Sequence, residues 1–440
     1  MECERALAYR HPDRARRSHR AGRPEALARP ARDAVTAAAP TPERGALAGL
    51  RVVECGDGVA AAYAAKLLAD LGAAVVKVEP PGGDSTRRRG PFPGGEPHPE
   101  RSGLFLYLNA NKRGVVLDLD REPDRAVLAR LLGESDVLVS DLPAARLDAW
   151  KLSWPELHAR HPALVTTAIA PFGLSGPHAA FEATDLTLWA AGGIAYLNGG
   201  GPGTDDMPPL KAFGQQAGFQ GGAHAAVATM GALFGRARLA GAGQLVEVSI
   251  QECLASILEL TYAYWPYMGL VASRLGHKPI QPLDFFECRD GWIYLCCIEE
   301  HQWRQFVDLM GSPEWAEMDL FRDRLSRGAN WDALKIFLQE WVREQSVRDL
   351  YEAAQARRVP FAPVSTMGDL LRSEHLAARG FFAELVHPVA GRVRYPGAPY
   401  QFRRTPWALR TPAPLLGEHT AEVLAAVGVD ARSVTAATGH

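Results

Sequence analysis

The sequence predicts an α/β fold in which a large lobe with a parallel β-sheet is joined to a smaller α+β lobe. Its 440 residues exceed the usual length of one domain, so more than one lobe is expected. From residue 47 onward, short runs that are almost continuously apolar alternate with segments of helical spacing. That alternation is typical of parallel strands covered by helices on both faces.

The first strand–turn–helix unit shows the pattern most clearly. Residues 50–55 (LRVVEC) are a β-branched run, 56–58 (GDG) form a turn, and 59–71 have helical spacing that ends before Gly72. Residues 74–79 (AVVKVE) predict the second strand. Strands and helices are then expected to alternate at 114–119, 121–132, 136–140, 154–161 and 163–170.

The turn after the first strand invites comparison with dinucleotide-binding sites. Gly56 and Gly58 supply G-x-G, and Glu79 falls near the place of a ribose-binding acid, but the third glycine of the fingerprint is absent. The sequence therefore predicts a Rossmann-like lobe that does not bind NAD.

The second half of the chain is richer in aromatic residues and predicts the smaller lobe. A long helix is expected at 254–270, and a hairpin is expected across the Arg-Asp-Gly turn at 289–291. The run at 359–365 resembles a strand of the large sheet, so the chain is expected to return to the large lobe. The predicted divisions are 1–46, 47–250 (large lobe), 251–345 (small lobe), 346–428 (return to the large lobe) and 429–440 (flexible tail).

Residues 1–46 stand apart in composition. They contain ten Arg, no Lys, six acidic residues and twelve Ala, with few bulky apolar side chains. Such a segment cannot offset its ordering entropy, so we expect it to be disordered. A flexible tail, an organelle-targeting segment and translation from an upstream start codon are the three explanations, and the six acids count against targeting.

Composition excludes several classes of protein. A formal net charge of −2 does not suit a nucleic-acid binder. Six scattered cysteines without a C-x-x-C pair predict neither a disulfide framework nor a metal site, and they suit a reducing cytoplasm. The longest stretch without charged residues, 212–235, is rich in Gln and Gly, so no membrane span is expected.

Several motifs, in their order along the chain, resemble the class III CoA-transferase family (CaiB/BaiF type). This family includes formyl-CoA and carnitine CoA-transferases and α-methylacyl-CoA racemases. The motifs extend from residue 47 to about 428. They are LLADLGAAVVKVEPPGGDSTR (67–87), NANKRGVVLDL (109–119), PFGLSGP (171–177), ATDLTLWAAGG (183–193), ALFGRARLAGAGQLVEVSIQE (232–252), RDGWIYL (289–295) and APLLGEHT (413–420).

The resemblance implies two chains threaded through each other as interlocked rings, either a homodimer or a heterodimer with a paralogue. It also implies that the substrates are an acyl-CoA and a small carboxylic acid, with coenzyme A thioester as substrate rather than a bound cofactor. In the family an aspartate attacks the thioester and forms a mixed anhydride and then an aspartyl-CoA thioester.

The sequence departs from the family at that aspartate. The corresponding stretch, 214–222 (GQQAGFQGG), contains no carboxylate, and the position falls on Ala217 or Gly218. The racemases pair their aspartate with a histidine in a motif that corresponds to 183–188 (ATDLTL). Both proton-transfer residues of a racemase are therefore missing.

Two other carboxylates are the catalytic candidates by analogy with the family. Asp185 occupies the acid position of the ATDL run, and Glu299 matches an acid that relatives bring toward the active site. Asp185 has a second interpretation, because Asp is a favoured N-cap and a helix is predicted to run from it to Leu197.

The resemblance also suggests a CoA-binding set. Gly58, Val59 and Ala60 match the loop that approaches CoA, and free N–H groups there can hold an anion. Leu117 matches a residue on the adenine side, although Asp120 stands where the family often has Lys. The remaining candidates are the phosphate contacts Arg87, Arg88, Arg89, Lys112 and Arg113, and a candidate glycine-rich lid at Gly199, Gly200 and Gly201.

The sequence thus favours a CoA-transferase that moves CoA from a donor thioester to a carboxylic acid. The main alternative is a non-catalytic subunit paired with an active paralogue. A third possibility is another acyl-CoA reaction, such as isomerisation or dehydration, since fold does not fix function.

Overall fold

The computed structural model describes residues 45–199, 206–274 and 280–430. Six strands form one sheet in the order β3-β2-β1-β4-β5-β6. The sheet is parallel, as the sequence predicted, and its sixth strand was not among the predicted ones. These strands are β1 (Arg51–Cys55), β2 (Ala74–Glu79), β3 (Lys112–Val116), β4 (Val137–Ser140), β5 (Val165–Ala170) and β6 (Leu245–Ser249). The order reverses between β1 and β4, and ligands of open α/β sheets bind beside such a point.

In the described residues up to 268, the large lobe also has ten α-helices, some of which pack on each face of the sheet. They are α1 (Ala60–Asp70), α2 (Gly103–Asn109), α3 (Glu122–Gly133), α4 (Ala144–Ala149), α5 (Trp154–Arg160), α6 (Asp185–Ala191), α7 (Ile194–Leu197), α8 (Gln216–Arg236), α9 (Ile250–Ser256) and α10 (Glu259–Met268). The helix expected from Asp185 to Leu197 is therefore two helices. They are separated at Gly193, whose φ of +87° suits glycine.

Helices α1 and α8 pack closely because their contact surfaces are made of small residues. Ala60, Ala64 and Ala65 are buried on α1. On α8, a Cβ at Gly222 would lie only 2.6 Å from the Ala60 carbonyl oxygen. This close packing brings the first turn of α8 beside the first turn of α1, at the carboxyl edge of the sheet.

The small lobe has its own antiparallel sheet and apolar core. Its elements are β7 (Leu283–Cys288), β8 (Gly291–Cys296), α11 (Glu300–Leu309), α12 (Arg324–Ala329), α13 (Trp331–Arg343), α14 (Val347–Ala356) and β9 (Ala362–Pro363). The β7–β8 hairpin turns where the sequence predicted it. Phe286, Phe306 and Leu338 are fully buried in the core.

The predicted return to the large lobe at residue 346 is placed too early. β9 pairs with β8 of the small sheet, and Leu350 and Phe361 are buried in the small-lobe core. The run at 359–365 thus resembled a large-sheet strand only in its hydrophobicity.

The chain returns to the large lobe further on, through α15 (Met367–Arg372), α16 (Glu374–Ala378) and the hairpin of β10 (Phe382–His387) and β11 (Gly391–Pro396). Tyr395 packs with Phe105 of α2. The last helix, α17 (Thr420–Ala426), packs its Val423 and Leu424 into the core of the large lobe. Residues 1–44 and 431–440, which hold most of the two predicted terminal segments, lie outside the described residues.

Among the helices in the described ranges, none is both long enough and apolar enough to cross a bilayer.

Candidate active site

A cavity of about 630 Å³ opens at the carboxyl edge of the large sheet, where the strand order reverses. It lies between the first turns of α1, α6 and α8. Its ionisable lining consists of three carboxylates and two cations, and these are Asp57, Asp141, Asp185, Arg89 and Lys211. Predicted site residues Gly58, Val59, Ala60 and Asp185 all line this one cavity.

Asp141, which directly follows β4, fixes the turn before α1. Its two carboxylate oxygens accept the N–H groups of Asp57 (2.9 Å) and Ala61 (3.0 Å). Burial raises the pKa of the Asp141 carboxyl, although the two N–H groups oppose that shift. Gly56 is required here because a Cβ would lie 2.4 Å from the Asp141 carboxylate. Part of the anion-binding capacity of the α1 N-terminus is therefore used by the protein itself.

Three N–H groups of the same turn remain available to a ligand. Those of Gly58, Val59 and Ala60 have no acceptor within the described residues, and all three residues line the cavity. Tyr63 donates its N–H to the Val59 carbonyl, which anchors the first turn of α1. The predicted turn with free N–H groups is thus present, and the binding of an anion to it stays a prediction.

Asp185 links two helices across the cavity. One carboxylate oxygen accepts the Gly218 N–H of α8 (3.1 Å), and the Nζ of Lys211 lies 2.8 Å from the other. The interpretation of Asp185 as the N-cap of its own helix is wrong, because Thr184 caps α6 through a reciprocal pair of bonds with Thr187. The Asp185 side chain is 8% exposed and its Oδ2 atom is buried, and the residue lines the cavity.

The position of the missing family aspartate lies directly beside Asp185. Of the two aligned positions, Ala217 is fully buried, whereas Gly218 lines the cavity. A Cβ at Gly218 would lie 3.0 Å from the Cβ of Val59, which is tight for any side chain. The site is therefore built around a glycine at this point, with the Asp185 carboxylate bonded to its N–H.

The structure contradicts the predicted phosphate contacts of Lys112 and Arg113. Lys112 is buried, and its ammonium donates to Glu54 (2.6 Å), the Ala62 carbonyl (2.8 Å) and Asn109 (2.9 Å), so all three of its donors are used. Arg113 lies near the amino end of β3, on the opposite edge of the sheet, and pairs with Glu422 at 3.1 Å. Neither side chain reaches the cavity.

Leu117 lines a second, smaller crevice of about 70 Å³, which adjoins the main cavity at Asp57. The crevice lies at the carboxyl ends of β1, β2 and β3. Asp120 borders it and accepts the Trp150 indole N–H at 2.9 Å, so the residue that replaces the family's Lys has a structural partner. An adenine contact for Leu117 stays a prediction.

Glu299 is separate from this cavity in the single chain. It is exposed at the N-cap of α11 in the small lobe, where its N–H donates to Gln302 (3.2 Å). Of the proposed lid, Gly199 is described and adopts a φ of +77°, with Leu210 packed against its Cα. Gly200 and Gly201 lie outside the described residues.

Sequence reasoning missed Lys211 and did not distinguish Arg89 from its two arginine neighbours. Lys211 lies in an irregular segment, and its partner Asp185 is 26 positions away in the chain, so spacing gives no signal. Arg89 follows a short 3₁₀ turn (Ser85–Arg88) and is the member of the arginine triplet that lines the cavity.

The family model described as CoA-transferase family III matches residues 47–420 of this chain. The chain belongs to CoA-transferase family III. This confirms the family that the motifs predicted, and it makes the protein a CoA-transferase, which moves CoA between a thioester and a carboxylic acid.

Curated relatives and a solved structure agree with this assignment. The chain is 36% identical to the BbsE subunit of succinyl-CoA:(R)-benzylsuccinate CoA-transferase from Thauera aromatica, over 84% of this chain and 91% of that protein. It is 31% identical to succinyl-CoA:mesaconate CoA-transferase from Haloarcula marismortui, over 88% of this chain and 97% of that protein. A crystal structure of a CaiB/BaiF family protein from Brucella suis superposes with a TM-score of 0.78, at 29% identity over 87% of this chain and all of that one.

Proposed function

We propose that this CoA-transferase takes CoA from a dicarboxylic acyl-CoA such as succinyl-CoA, and that Asp185 is the carboxylate that carries the acyl group. The observation that carries the proposal is the position of Asp185, which lines the cavity and whose carboxylate accepts the N–H of Gly218, where the family's aspartate is missing. The choice of donor is supported by several relatives that are named succinyl-CoA-dependent transferases.

The other carboxylates are less suited to that role. Both oxygens of Asp141 accept backbone N–H groups and hold the turn before α1. One oxygen of Asp185, by contrast, accepts no hydrogen bond among the described residues and only faces the Lys211 ammonium. Asp57 accepts the Ser85 N–H at 2.7 Å on the exposed side of the turn. Glu299 lies outside the cavity, so a catalytic role for it would require a second chain to bring it there.

The proposed reaction proceeds through two exchanges on Asp185. A carboxylate oxygen attacks the thioester carbon, the C–S bond breaks, and CoA leaves as a thiolate. The thiolate then attacks the Asp185 carbonyl of the mixed anhydride, which releases the donor acid and leaves an aspartyl-CoA thioester. The acceptor carboxylate repeats the two steps in reverse, which forms the new acyl-CoA and restores Asp185.

The surrounding residues have supporting parts in this scheme. The free N–H groups of Gly58, Val59 and Ala60 can stabilise negative charge on the tetrahedral oxygen or on the leaving thiolate. Lys211 and the Gly218 N–H hold the carboxylate in position. Since both intermediates react with water, the bound thioester must be shielded from solvent during the reaction.

A second candidate function is that of a subunit whose active carboxylate comes from a paralogue. Two observations favour it: the glycine at position 218, packed against Val59, and the names of relatives that are subunits. One of these is the alpha subunit of succinyl-CoA–L-malate CoA-transferase from Chloroflexus aurantiacus, 28% identical over 90% of this chain and 92% of that protein.

Either candidate requires a partner chain, and α10 offers a surface for one. Tyr262, Trp265 and Tyr267 on this helix are more than 60% exposed, which is unusual for a monomer. We propose that a second CoA-transferase chain, interlocked with this one, covers them. Since all five described cysteines are free thiols, we place the assembly in the cytoplasm.

The test is isotope exchange between labelled succinate and succinyl-CoA, measured with the purified chain and with Asp185→Asn. We expect a loss of at least about 10³-fold for this variant, as for other removed nucleophiles. Glu182→Gln is the matched control, because Glu182 is an exposed acid near α6 that does not line the cavity.

The outcomes separate the two candidates. If the chain alone catalyses exchange and Asp185→Asn does not, the result supports Asp185 as the nucleophile. Exchange that appears only after co-expression with a paralogue, and that survives Asp185→Asn, supports the subunit role instead. Full exchange by Asp185→Asn as a homodimer would remove Asp185 from the reaction.

A further inference from the structure

We propose that Arg89 binds the terminal carboxylate of a dicarboxylic acyl group and thereby selects dicarboxylic over monocarboxylic thioesters. The proposal rests on the proposed function, because it places the reacting thioester in the same cavity as Asp185. It adds the residue that recognises the substrate class.

The first argument is the balance of charge in the cavity. Each of the three carboxylates is engaged: Asp57 with Ser85, Asp141 with the turn before α1, and Asp185 with Lys211 and Gly218. Lys211 is also saturated, since its ammonium contacts Asp185, the Ala212 carbonyl and the Gly214 carbonyl. Within the described lining, Arg89 is then the cation whose donors are uncommitted.

The second argument is that the backbone of Arg89 is fixed while its side chain is free. Its N–H donates to the Thr86 carbonyl (3.1 Å), and its own carbonyl accepts the Ser102 hydroxyl. Its guanidinium has no acceptor among the described residues. An anchored Cα with a free guanidinium at the cavity wall is suited to binding a ligand, because little backbone freedom is lost when the ligand arrives.

The neighbouring arginines show how specific this placement is. Arg87 is buried and makes a two-bond contact with Glu79 (2.7 and 2.8 Å) as well as a bond to Glu100. Arg88 lies at the surface and donates to the Gly82 carbonyl at 3.0 Å. Arg89 alone of the three lines the cavity.

The chemistry of a guanidinium favours a carboxylate of the acyl group. Its planar pair of N–H donors matches the two oxygens of a carboxylate, which is the strongest form of this contact. The phosphates of CoA are the other anions of the substrate, but the long pantetheine arm separates them from the thioester carbon at Asp185. An anion bound in the same cavity as that carbon is therefore part of the acyl group.

The experiment compares the affinities of succinyl-CoA and butyryl-CoA, which have acyl chains of the same length and differ in the terminal carboxylate. Both are measured by isothermal titration calorimetry on the assembled protein, on Arg89→Met and on Arg88→Met. For Arg89→Met we expect the affinity for succinyl-CoA to fall roughly 10- to 100-fold, the range for a charge-assisted hydrogen bond, with the affinity for butyryl-CoA unchanged. Arg88→Met, with the same loss of charge one residue away, should bind both as the unmodified protein does.

Each result is decisive. An equal loss of both thioesters in Arg89→Met would indicate a phosphate contact and overturn the proposal, as would no loss of either. Partial recovery of succinyl-CoA binding in Arg89→Lys would support it. If the unmodified assembly bound neither thioester, the proposed function itself would fail, which is distinguishable from binding that does not depend on Arg89.

Discussion

The large lobe contains a buried ion cluster and, at its edge, the cavity. Both contain acidic and basic side chains, but the two regions differ in how completely these charges are paired. The buried ion cluster consists of Glu54, Lys77, Asp84 and Lys112, on the face of the sheet that α1 covers. Lys77 lies 2.7 Å from both Glu54 and Asp84, and Lys112 lies 2.6 Å from Glu54. In the cavity, by contrast, the guanidinium of Arg89 has no acceptor in the part of the chain that the structure describes.

The buried ion cluster and Arg89 therefore differ in how completely their charges are paired, and not in the kind of charge that they carry. A buried charge without a partner costs several kcal/mol, so the buried ion cluster must be saturated to exist. At the cavity, water can solvate an unpaired guanidinium until a ligand replaces it. Four mutational or pH tests follow from this contrast.

The largest expected effect is the loss of a cation from the buried ion cluster. Lys77→Met would leave two buried carboxylates, Glu54 and Asp84, without their shared ammonium. We expect the free energy of unfolding to fall by roughly 3–5 kcal/mol, measured by urea denaturation. The same substitution at the surface pair Lys335–Asp284 should cost less than about 1 kcal/mol. Equal effects at both sites would contradict the contrast.

A smaller effect is expected at the border between the two regions. Asp141→Ala removes the acceptor of two N–H groups at the start of α1, those of Asp57 and Ala61. We expect destabilisation of about 1–2 kcal/mol, comparable to the loss of a helix cap, in thermal or urea unfolding. Asp141→Asn keeps one acceptor oxygen, so it should lower the free energy of unfolding by less than Asp141→Ala does. A larger destabilisation by Asp141→Asn than by Asp141→Ala would show that the negative charge contributes more to stability than the two hydrogen bonds do.

The pH dependence of stability probes Lys112. Burial, only partly offset by Glu54, lowers the pKa of the Lys112 ammonium to about 8. Above that pH the folded chain releases this proton while the unfolded chain keeps it, so Lys112 makes the free energy of unfolding rise with pH from about 8 toward its ordinary value. The expected slope is at most about 1.4 kcal/mol per pH unit.

The measurement compares urea unfolding at pH 7.5 and 9 for the unmodified chain and Lys112→Met. The stability of the unmodified chain relative to the variant should increase at the higher pH. A constant difference would mean that Lys112 stays charged throughout this range.

The smallest effect is expected at Arg113. Its pair with Glu422 is exposed on both sides, so Arg113→Ala should change the free energy of unfolding by less than about 1 kcal/mol. Its distance from the cavity also predicts an unchanged affinity for succinyl-CoA in calorimetry. A clear loss of affinity would restore Arg113 to the CoA site.

Local patterns in the sequence were sufficient for much of the fold. The parallel sheet follows from its apolar runs, and the β7–β8 hairpin follows from its Arg-Asp-Gly turn. The return at 346 was misplaced because hydrophobicity does not tell which sheet a strand joins, and β9 joins the small one. The sheet that β9 joins is decided by its pairing with β8, which lies about 70 positions earlier in the chain.

The site was predictable only in part, for the same reason. The turn at Gly58 and the acid Asp185 were found from motifs, and both line the cavity. Lys112 looked like a free cation until its partner Glu54, 58 positions earlier, was placed beside it. Nothing in three consecutive arginines shows that Arg89 is the one that faces the cavity, because each side chain is placed by contacts made elsewhere in the chain.

The most direct measurement of the central claim is mass spectrometry of the assembled protein after incubation with succinyl-CoA and rapid acid quenching. Digestion should yield a peptide that contains Asp185 and carries CoA in thioester linkage, and Asp185→Asn should not form it. Finding the covalent CoA on another carboxylate, whether in this chain or in its partner, would contradict the assignment of Asp185 as the residue that carries the acyl group.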